Sequence, residues 1–254
     1  MRFTKAIVRQ PGKSLIHGVT SATLGTPNYA LAVDQHQAYM HALKRCSVDV
    51  ISLPANEAHP DSVFMEDVAL LTDNVAIVSR PGAPSRLDEV RGMTHILEPH
   101  FENVESIVAP GTVEAGDIMM VGSHFYIGLS QRTNASGADQ MISILERYGK
   151  TASTIKLEKV LHLKTGLAYL EHNNLVACGE FVHHPEFQKY NIIEIHESES
   201  YAANCIWVND KVLIPQGYPQ AKQSIQAAGY DIIELDVSEF KKLDGGLSCL
   251  SLRF

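Results

Sequence analysis

Pairs of short apolar segments recur four times along the chain, and a small polar turn separates the two members of each pair. Asn, Asp, Gly, Ser and His fill these turns, and the turns suit tight β-hairpins. We therefore predict four hairpins, within VALLTDNVAIVS from Val68, IMMVGSHFYIGLS from Ile118, LAYLEHNNLVAC from Leu167 and CIWVNDKVLIPQ from Cys205.

A helical pattern and then a short β-branched run follow each hairpin. The helical pattern is strongest at residues 138–148, behind the N-cap candidate Asn134, and at residues 219–228. Residues 87–97 form a weaker helix because they include a glycine, and residues 185–189 span about one turn. Each unit therefore reads strand, strand, helix, strand and repeats roughly every 40–50 residues. The β-branched runs are 104–108, 154–157, 192–195 and 232–235.

The two ends of the chain together supply a fifth unit. Residues 6–9 and 48–53 have strand patterns, and an amphipathic helix is predicted between them at residues 29–43. The missing hairpin strand is supplied by the C-terminal run 248–252, so the N- and C-terminal strands join. The predicted fold is α/β: a five-fold pseudosymmetric propeller of ββαβ units in a single domain, residues 1–254. An open α/β sheet is the alternative, but it does not explain the paired hairpins.

Composition narrows the class of protein. Apolar residues make up 45% of the chain and charged residues 20%, and no apolar run approaches a membrane span, so we expect a globular protein that does not enter a membrane. Four cysteines without a CxxC pair, and an N-terminal segment without the apolar centre of a secretory signal, predict a cytoplasmic location. The formal net charge of −8 argues against nucleic acid as a partner.

Residues with catalytic potential occupy equivalent positions just before the first strand of each unit. They are Glu66 with Asp67, Glu114 with Asp117, His162 with Thr165, Asn204 with Cys205, and Ser248 with Cys249. Equivalent positions in a ring surround its axis, which brings together a thiol, an imidazole and several carboxylates, as in covalent thiol catalysis. Singly, each has a structural alternative, such as a core cysteine or a solvated histidine. His183 and His184 point in opposite directions on an extended segment, and we predict no metal site there.

Long sequence blocks stand around these positions. They are PDSVFMED from Pro60, PGTVEAGDIMMVG from Pro110, LEKVLHLKTGLAYLEHNN from Leu157, SYAANCIWVN from Ser200 and DGGLSCLSLRF from Asp244. These blocks resemble the bacterial dimethylarginine dimethylaminohydrolase family, and the similarity extends essentially from end to end. That family belongs to the guanidine-modifying (pentein) superfamily, so the resemblance implies a five-fold α/β propeller, in agreement with the repeat count.

The resemblance also implies a role for individual residues. Cys249 would be the nucleophile, His162 the general acid and base, and Glu114 would hold the substrate guanidinium together with Asp67. Arg86 and Arg132 would bind the substrate α-carboxylate. Val19 would lie on a mobile lid, residues 15–25. The complete set of implied substrate contacts is Val19, Asp61, Glu66, Asp67, Arg86, Arg132 and Leu243.

The implied activity is hydrolysis of Nω-methylated arginines to citrulline and methylamine or dimethylamine through a covalent thiouronium on Cys249. This chemistry requires neither a metal nor an organic cofactor, and the family implies a homodimer. Two alternatives are an arginine deiminase or amidinotransferase of the same superfamily, and a non-catalytic binding protein for cationic amino acids. A substrate panel read out as citrulline separates these possibilities.

Overall fold

The computed structural model describes residues 2–254 and contains five three-stranded β-sheets. Each sheet takes its strands in the order that the repeated units predict, and the predicted α/β class is confirmed. The strands are β1 (Lys5–Arg9), β2 (Asp49–Leu53), β3 (Ala69–Leu71), β4 (Ala76–Val78), β5 (Val104–Ser106), β6 (Ile118–Val121), β7 (His124–Leu129), β8 (Thr151–Lys156), β9 (Leu167–Tyr169), β10 (Asn174–Ala177), β11 (Asn191–Glu194), β12 (Ile206–Val208), β13 (Lys211–Pro215), β14 (Asp231–Leu235) and β15 (Leu252–Arg253).

All five sheets share one connectivity, in which the middle strand pairs antiparallel with the first and parallel with the third. In the fifth sheet the middle strand is β1, where Ile7 stands opposite Leu252 of β15 and Ile51 of β2. The predicted pairing of the two chain ends is therefore confirmed. Parallel pairing needs a crossover segment, and in every unit helical residues supply it.

The helices agree with the pattern where it was strong. Asn134 caps the helix Ala135–Arg147 by accepting a hydrogen bond from the N–H of Gly137, and Asn28 caps the helix Tyr29–Arg45 by accepting one from Leu31. The weak pattern over residues 87–97 yields only a short helix, which starts after Gly92 in the left-handed conformation (φ 81°). The helices are α1 (Tyr29–Arg45), α2 (Met93–Leu97), α3 (Ala135–Arg147), α4 (Leu163–Gly166), α5 (Pro219–Ala227) and α6 (Ser238–Lys241).

A short helical turn precedes the first strand of every unit. These turns are Met65–Val68, Ala115–Asp117, α4, Glu197–Ala203 and Ser248–Leu250, the first two and last two being 3₁₀. The prediction that Cys249 lies on a strand is therefore wrong, because the C-terminal strand begins only at Leu252.

Apolar residues pack the spaces between neighbouring units. Ile7 of β1 is fully buried beside Val78 and Met93 of the unit that contains β3, β4 and β5. Burial of such a side chain contributes roughly 1.5–3 kcal/mol. The first strands also touch across unit boundaries, β15 with β3 and β9 with both β6 and β12. Within residues 2–254, no helix has both the length and the hydrophobicity needed to cross a membrane.

Candidate active site

The five short turns contact one another in sequence at one end of the sheets. Ser248–Leu250 touches Met65–Val68, which touches Ala115–Asp117, and this turn touches α4, which in turn contacts Glu197–Ala203. Hydrogen bonds between Asn204 and Ser248 link the last turn to the first. The equivalent positions singled out in the sequence are thus brought together.

Cys249 lies in the 3₁₀ turn Ser248–Leu250, which precedes strand β15. Its N–H donates to the carbonyl of Gly246, while the N–H of Gly246 points to the Cys249 sulfur at 3.3 Å. Burial raises the pKa of the thiol, the negative charges of Glu66 and Asp67 raise it further, and the Gly246 N–H only partly opposes them, so the pKa lies at about 12. In the empty pocket the sulfur is therefore protonated at neutral pH.

His162 immediately precedes α4, and its Nε2 lies 2.8 Å from a carboxylate oxygen of Glu114. Burial alone would lower the pKa of the imidazole. The hydrogen bond to Glu114 and the charges of Asp67 and Asp117 outweigh that penalty and raise the pKa to about 9. The ring is therefore an imidazolium at neutral pH, a form that can donate a proton.

Asp67 projects from the Met65–Val68 turn to the same place. One of its oxygens accepts the N–H of Gly116 at 3.0 Å and the other pairs with Arg86 at 2.6 Å. Burial opposes its charge, but Arg86, His162 and the Gly116 N–H keep the pKa of Asp67 below its usual value. Gly116 must stay small, because a Cβ there would meet Asp67 at 2.9 Å and His162 at 3.2 Å.

Glu66 is bonded to two other residues of the site. Its Oε1 accepts from Lys164 at 2.6 Å and its Oε2 accepts from the hydroxyl of Ser248 at 2.7 Å. Asn204 makes two hydrogen bonds to Ser248. It donates to the hydroxyl and accepts from the N–H, each at 3.0 Å. This network fixes the residue that precedes Cys249 and commits both oxygens of Glu66.

The two predicted carboxylate-binding arginines lie in different surroundings. Arg132 is 21% exposed, with its guanidinium 3.6 Å from Glu114. Arg86 is buried, pairs with Asp67 and Glu89, and also donates to the carbonyl of Phe64 at 3.0 Å. Burial disfavours its charge, yet these carboxylates raise its pKa well above the usual value.

The segment predicted as a lid is held by two carboxylates. Both oxygens of Asp61 accept the N–H of Val19, at 3.0 and 3.2 Å, and Asp244 accepts the N–H and hydroxyl of Ser21 at 2.6 and 2.9 Å. Burial raises the pKa of Asp61, although Arg86 partly offsets this. The Val19 side chain is exposed, whereas Leu243 is buried beneath this segment.

Asp67, Glu114 and His162 each offer a ligand atom, and these atoms lie within 4.8 Å of one another. The two carboxylates already bind cationic side chains, since Glu114 pairs with His162 and Asp67 with Arg86. A planar guanidinium has only donors, and it can use the remaining lone pairs of these carboxylate oxygens while His162 stays protonated. The cluster therefore suits an organic cation.

Four residues of the site were not assigned a role from the sequence: Asp117, Lys164, Asn204 and Ser248. Asp117 accepts the N–H of Leu163 at 3.1 Å and so anchors the start of the helix beside His162. Asp117, Asn204 and Ser248 occupy the repeat-equivalent positions, and this placement marked them in the sequence. No sequence pattern marked Lys164, because its partner Glu66 lies 98 positions away along the chain.

Comparison with known proteins agrees with this arrangement. The family model described as N,N dimethylarginine dimethylhydrolase, eukaryotic, matches residues 25–251. The N(G),N(G)-dimethylarginine dimethylaminohydrolase of Pseudomonas aeruginosa is 60% identical over 99% of this chain and 100% of its own length. The protein of the same name from Streptomyces coelicolor is 31% identical over 100% of this chain and 98% of its own.

Solved structures give the same result. A C249S mutant of the Pseudomonas aeruginosa enzyme complexed with citrulline superposes with a TM-score of 0.99, 58% identity and full coverage of both chains. An H162G dimethylarginine dimethylaminohydrolase adduct with S-methyl-L-thiocitrulline gives 0.98 at 59% identity, over 99% of this chain and 100% of the other. The chain belongs to the dimethylarginine dimethylaminohydrolase family.

Proposed function

We propose that this protein hydrolyses Nω-methylated arginines to citrulline and methylamine or dimethylamine. The observation that carries the proposal is that Cys249 and His162 line one pocket, with Glu114 bonded to His162 and buried Asp67 bonded to Gly116 in the pocket wall. Relatives named for this activity support it, as does the citrulline complex of one of them.

The substrate guanidinium is held between Asp67 and Glu114, because a planar group with donors on its edges needs carboxylates at those edges. Arg132 binds the α-carboxylate at the other end of the substrate. Arg86 binds the α-carboxylate only after it breaks one of its present bonds to Asp67 or Glu89.

The remaining predicted contacts enclose the substrate. Val19 and Leu243 flank its amino-acid end, and Asp61 supports that end through the Val19 N–H. Glu66 holds Ser248, the neighbour of Cys249, through its 2.7 Å hydrogen bond to the hydroxyl.

Binding of the cation activates the thiol. The charges of Glu66 and Asp67 raise the pKa of Cys249, and a bound guanidinium neutralises their effect and adds a positive charge beside sulfur. The thiol releases its proton to solvent as the cation binds, and the thiolate then attacks the central carbon of the guanidinium. His162, already protonated, gives its proton to the departing amine, and the C–N bond breaks to leave an S-alkylthiouronium.

The second half of the reaction reuses the same groups. His162, now neutral, takes a proton from water, and the hydroxide attacks the thiouronium carbon. The C–S bond breaks, citrulline forms, and the sulfur regains its thiolate. Glu114 keeps the imidazole oriented through both steps by its 2.8 Å bond to Nε2, which leaves Nδ1 for proton transfer.

The test is incubation of the purified protein with asymmetric dimethylarginine and assay of citrulline. Absence of product from folded protein overturns the proposal. Cys249→Ser should abolish turnover while leaving the thermal midpoint nearly unchanged. Preference for unmethylated arginine, or amidine transfer to an added amine, would instead indicate the deiminase or amidinotransferase, and calorimetric binding without turnover a binding protein.

The architecture supports a finer description. We infer that the five units surround one axis as a closed propeller in a single domain, since their turns contact one another in order and Asn204 joins the last to the first. A homodimer and a cytoplasmic location stay predictions. Analytical ultracentrifugation and cell fractionation test them.

A further inference from the structure

A cavity of about 550 Å³ opens beside the reacting groups. Cys249 and His162 lie on its wall, and from there it extends to Tyr201, Tyr218 and Lys241. The amine that leaves the guanidinium must take its proton from His162, so it departs on this side. Cavities of roughly 300–1,000 Å³ hold whole drug-sized ligands, so the part of this one that extends past Cys249 and His162 has room for a leaving group larger than dimethylamine.

The far wall is built from two tyrosines and a lysine. The rings of Tyr201 and Tyr218 lie 5.8 Å apart, and the ammonium of Lys241 stands 4.9 and 5.5 Å from their centroids. The ammonium also donates to the Tyr218 hydroxyl at 2.8 Å. Cation–π contacts and this hydrogen bond hold the charge in place without neutralising it.

This wall is continuous with the loop that carries the nucleophile. The hydroxyl of Tyr201 donates to the carbonyl of Gly245 at 2.8 Å, and the next residue, Gly246, directs its N–H to the sulfur of Cys249. The tyrosine thus connects the reacting sulfur to the lysine at the far end. A group attached to the leaving nitrogen would follow this surface.

Lys241 places a positive charge, fixed between two aromatic rings, at the far wall of the cavity. Within residues 2–254 no carboxylate forms an ion pair with it. Acidic residues do line the same cavity, but Glu66 and Asp244 are committed to other partners, Glu180 accepts two backbone N–H groups, and Glu197 is exposed. An ammonium held between aromatic rings and lacking a counterion is a receptor for an anionic group.

We infer that this cavity is a leaving-group subsite for amines that bear a carboxylate, so that the substrate class extends to Nω-carboxyalkyl arginines. The inference rests on the proposed function, because it uses the same nucleophile and proton donor. Sulfur attacks the guanidinium carbon, the C–N bond to the amino acid breaks, and the amino acid departs with the proton of His162. Water then cleaves the C–S bond, so the net reaction gives citrulline and one free amino acid.

The test compares two probes that differ only in charge, Nω-(2-carboxyethyl)arginine and its neutral primary amide, with asymmetric dimethylarginine as reference. Citrulline release is measured for the wild type, Lys241→Gln and Lys241→Arg. We expect Lys241→Gln to lower the carboxylate-to-amide ratio of kcat/KM about tenfold, the effect of one partly exposed charge-assisted hydrogen bond. Lys241→Arg should retain the ratio, and turnover of dimethylarginine should stay within about twofold in all three proteins.

The outcomes separate the inference from the proposed function. An unchanged ratio in Lys241→Gln overturns the subsite, as does hydrolysis of dimethylarginine by a wild type that accepts neither probe. Failure to hydrolyse dimethylarginine overturns the proposed function and the subsite with it. Calorimetry of the Cys249→Ser protein with the carboxyethyl probe gives a second readout, in which binding tighter than that of the amide supports the inference.

Discussion

The pair formed by His162 and Glu114 couples catalysis to stability, and Glu114→Gln separates the two effects. Glutamine keeps an oxygen that can accept the N–H of Ala83, as Glu114 does at 3.0 Å, but it presents an amide to His162. The variant therefore removes the charge-assisted hydrogen bond while preserving the shape of the site. We expect the pKa of His162 to fall by at least one unit.

The magnitude follows from the wild-type pKa. The pKa of His162 rises from 6.5 to about 9, and at 1.36 kcal/mol per pKa unit this is worth roughly 3 kcal/mol of folding free energy. Because the folded pKa exceeds the unfolded one, the stabilisation is complete below pH 6.5 and disappears as the pH rises through about 9. Glu114→Gln should therefore reduce the loss of stability between pH 6 and pH 10 by about 1–3 kcal/mol.

Urea unfolding at several pH values measures this effect. Glu102→Gln, at an exposed position, is the matched control for loss of one negative charge. Cys249, whose pKa is about 12, weakens the fold at high pH in every variant, so only the difference between variants reports His162. The alkaline limb of kcat should move to lower pH in Glu114→Gln. Parallel stability curves for the two variants would refute the role assigned to the pair.

Three further predictions follow from buried contacts. Arg86→Met should cost about 3–5 kcal/mol in urea unfolding, because Asp67 and Glu89 lose their shared cation; a cost below about 1 kcal/mol would contradict this. Inactivation of Cys249 by iodoacetamide should still accelerate above pH 9, whereas a plateau near pH 8 would show a thiolate at rest. Gly116→Ala should lower kcat by about 10- to 100-fold with little change in the thermal midpoint, since the new methyl group displaces catalytic side chains; unaltered kinetics would show that the site adapts.

The repeats could be predicted because each hairpin and helix is marked by local pattern, and the pairing of the chain ends followed from the count. The conformation of the turn that carries Cys249 could not be predicted. Its sequence alternates like a strand, and it folds as a 3₁₀ turn because Asn204, 44 positions away, binds the N–H of Ser248. The same limit applies to Arg86, whose partners Asp67 and Glu89 are determined by packing rather than by sequence pattern. The sequence could identify which residues gather, but not which of their hydrogen bonds are already used.

The pairing of β1 with β15 has a consequence for synthesis on the ribosome. β1 precedes the other fourteen strands of residues 2–254, yet its antiparallel partner, β15, is the last of the fifteen to be made. A nascent chain can complete four sheets while the outer edge of β1 stays open. The turn that carries Cys249 comes just before β15, so a product truncated at residue 247 would lack both Cys249 and this strand. Premature release of the chain therefore yields an inactive protein with an unprotected edge, a form that quality-control proteases and chaperones can recognise.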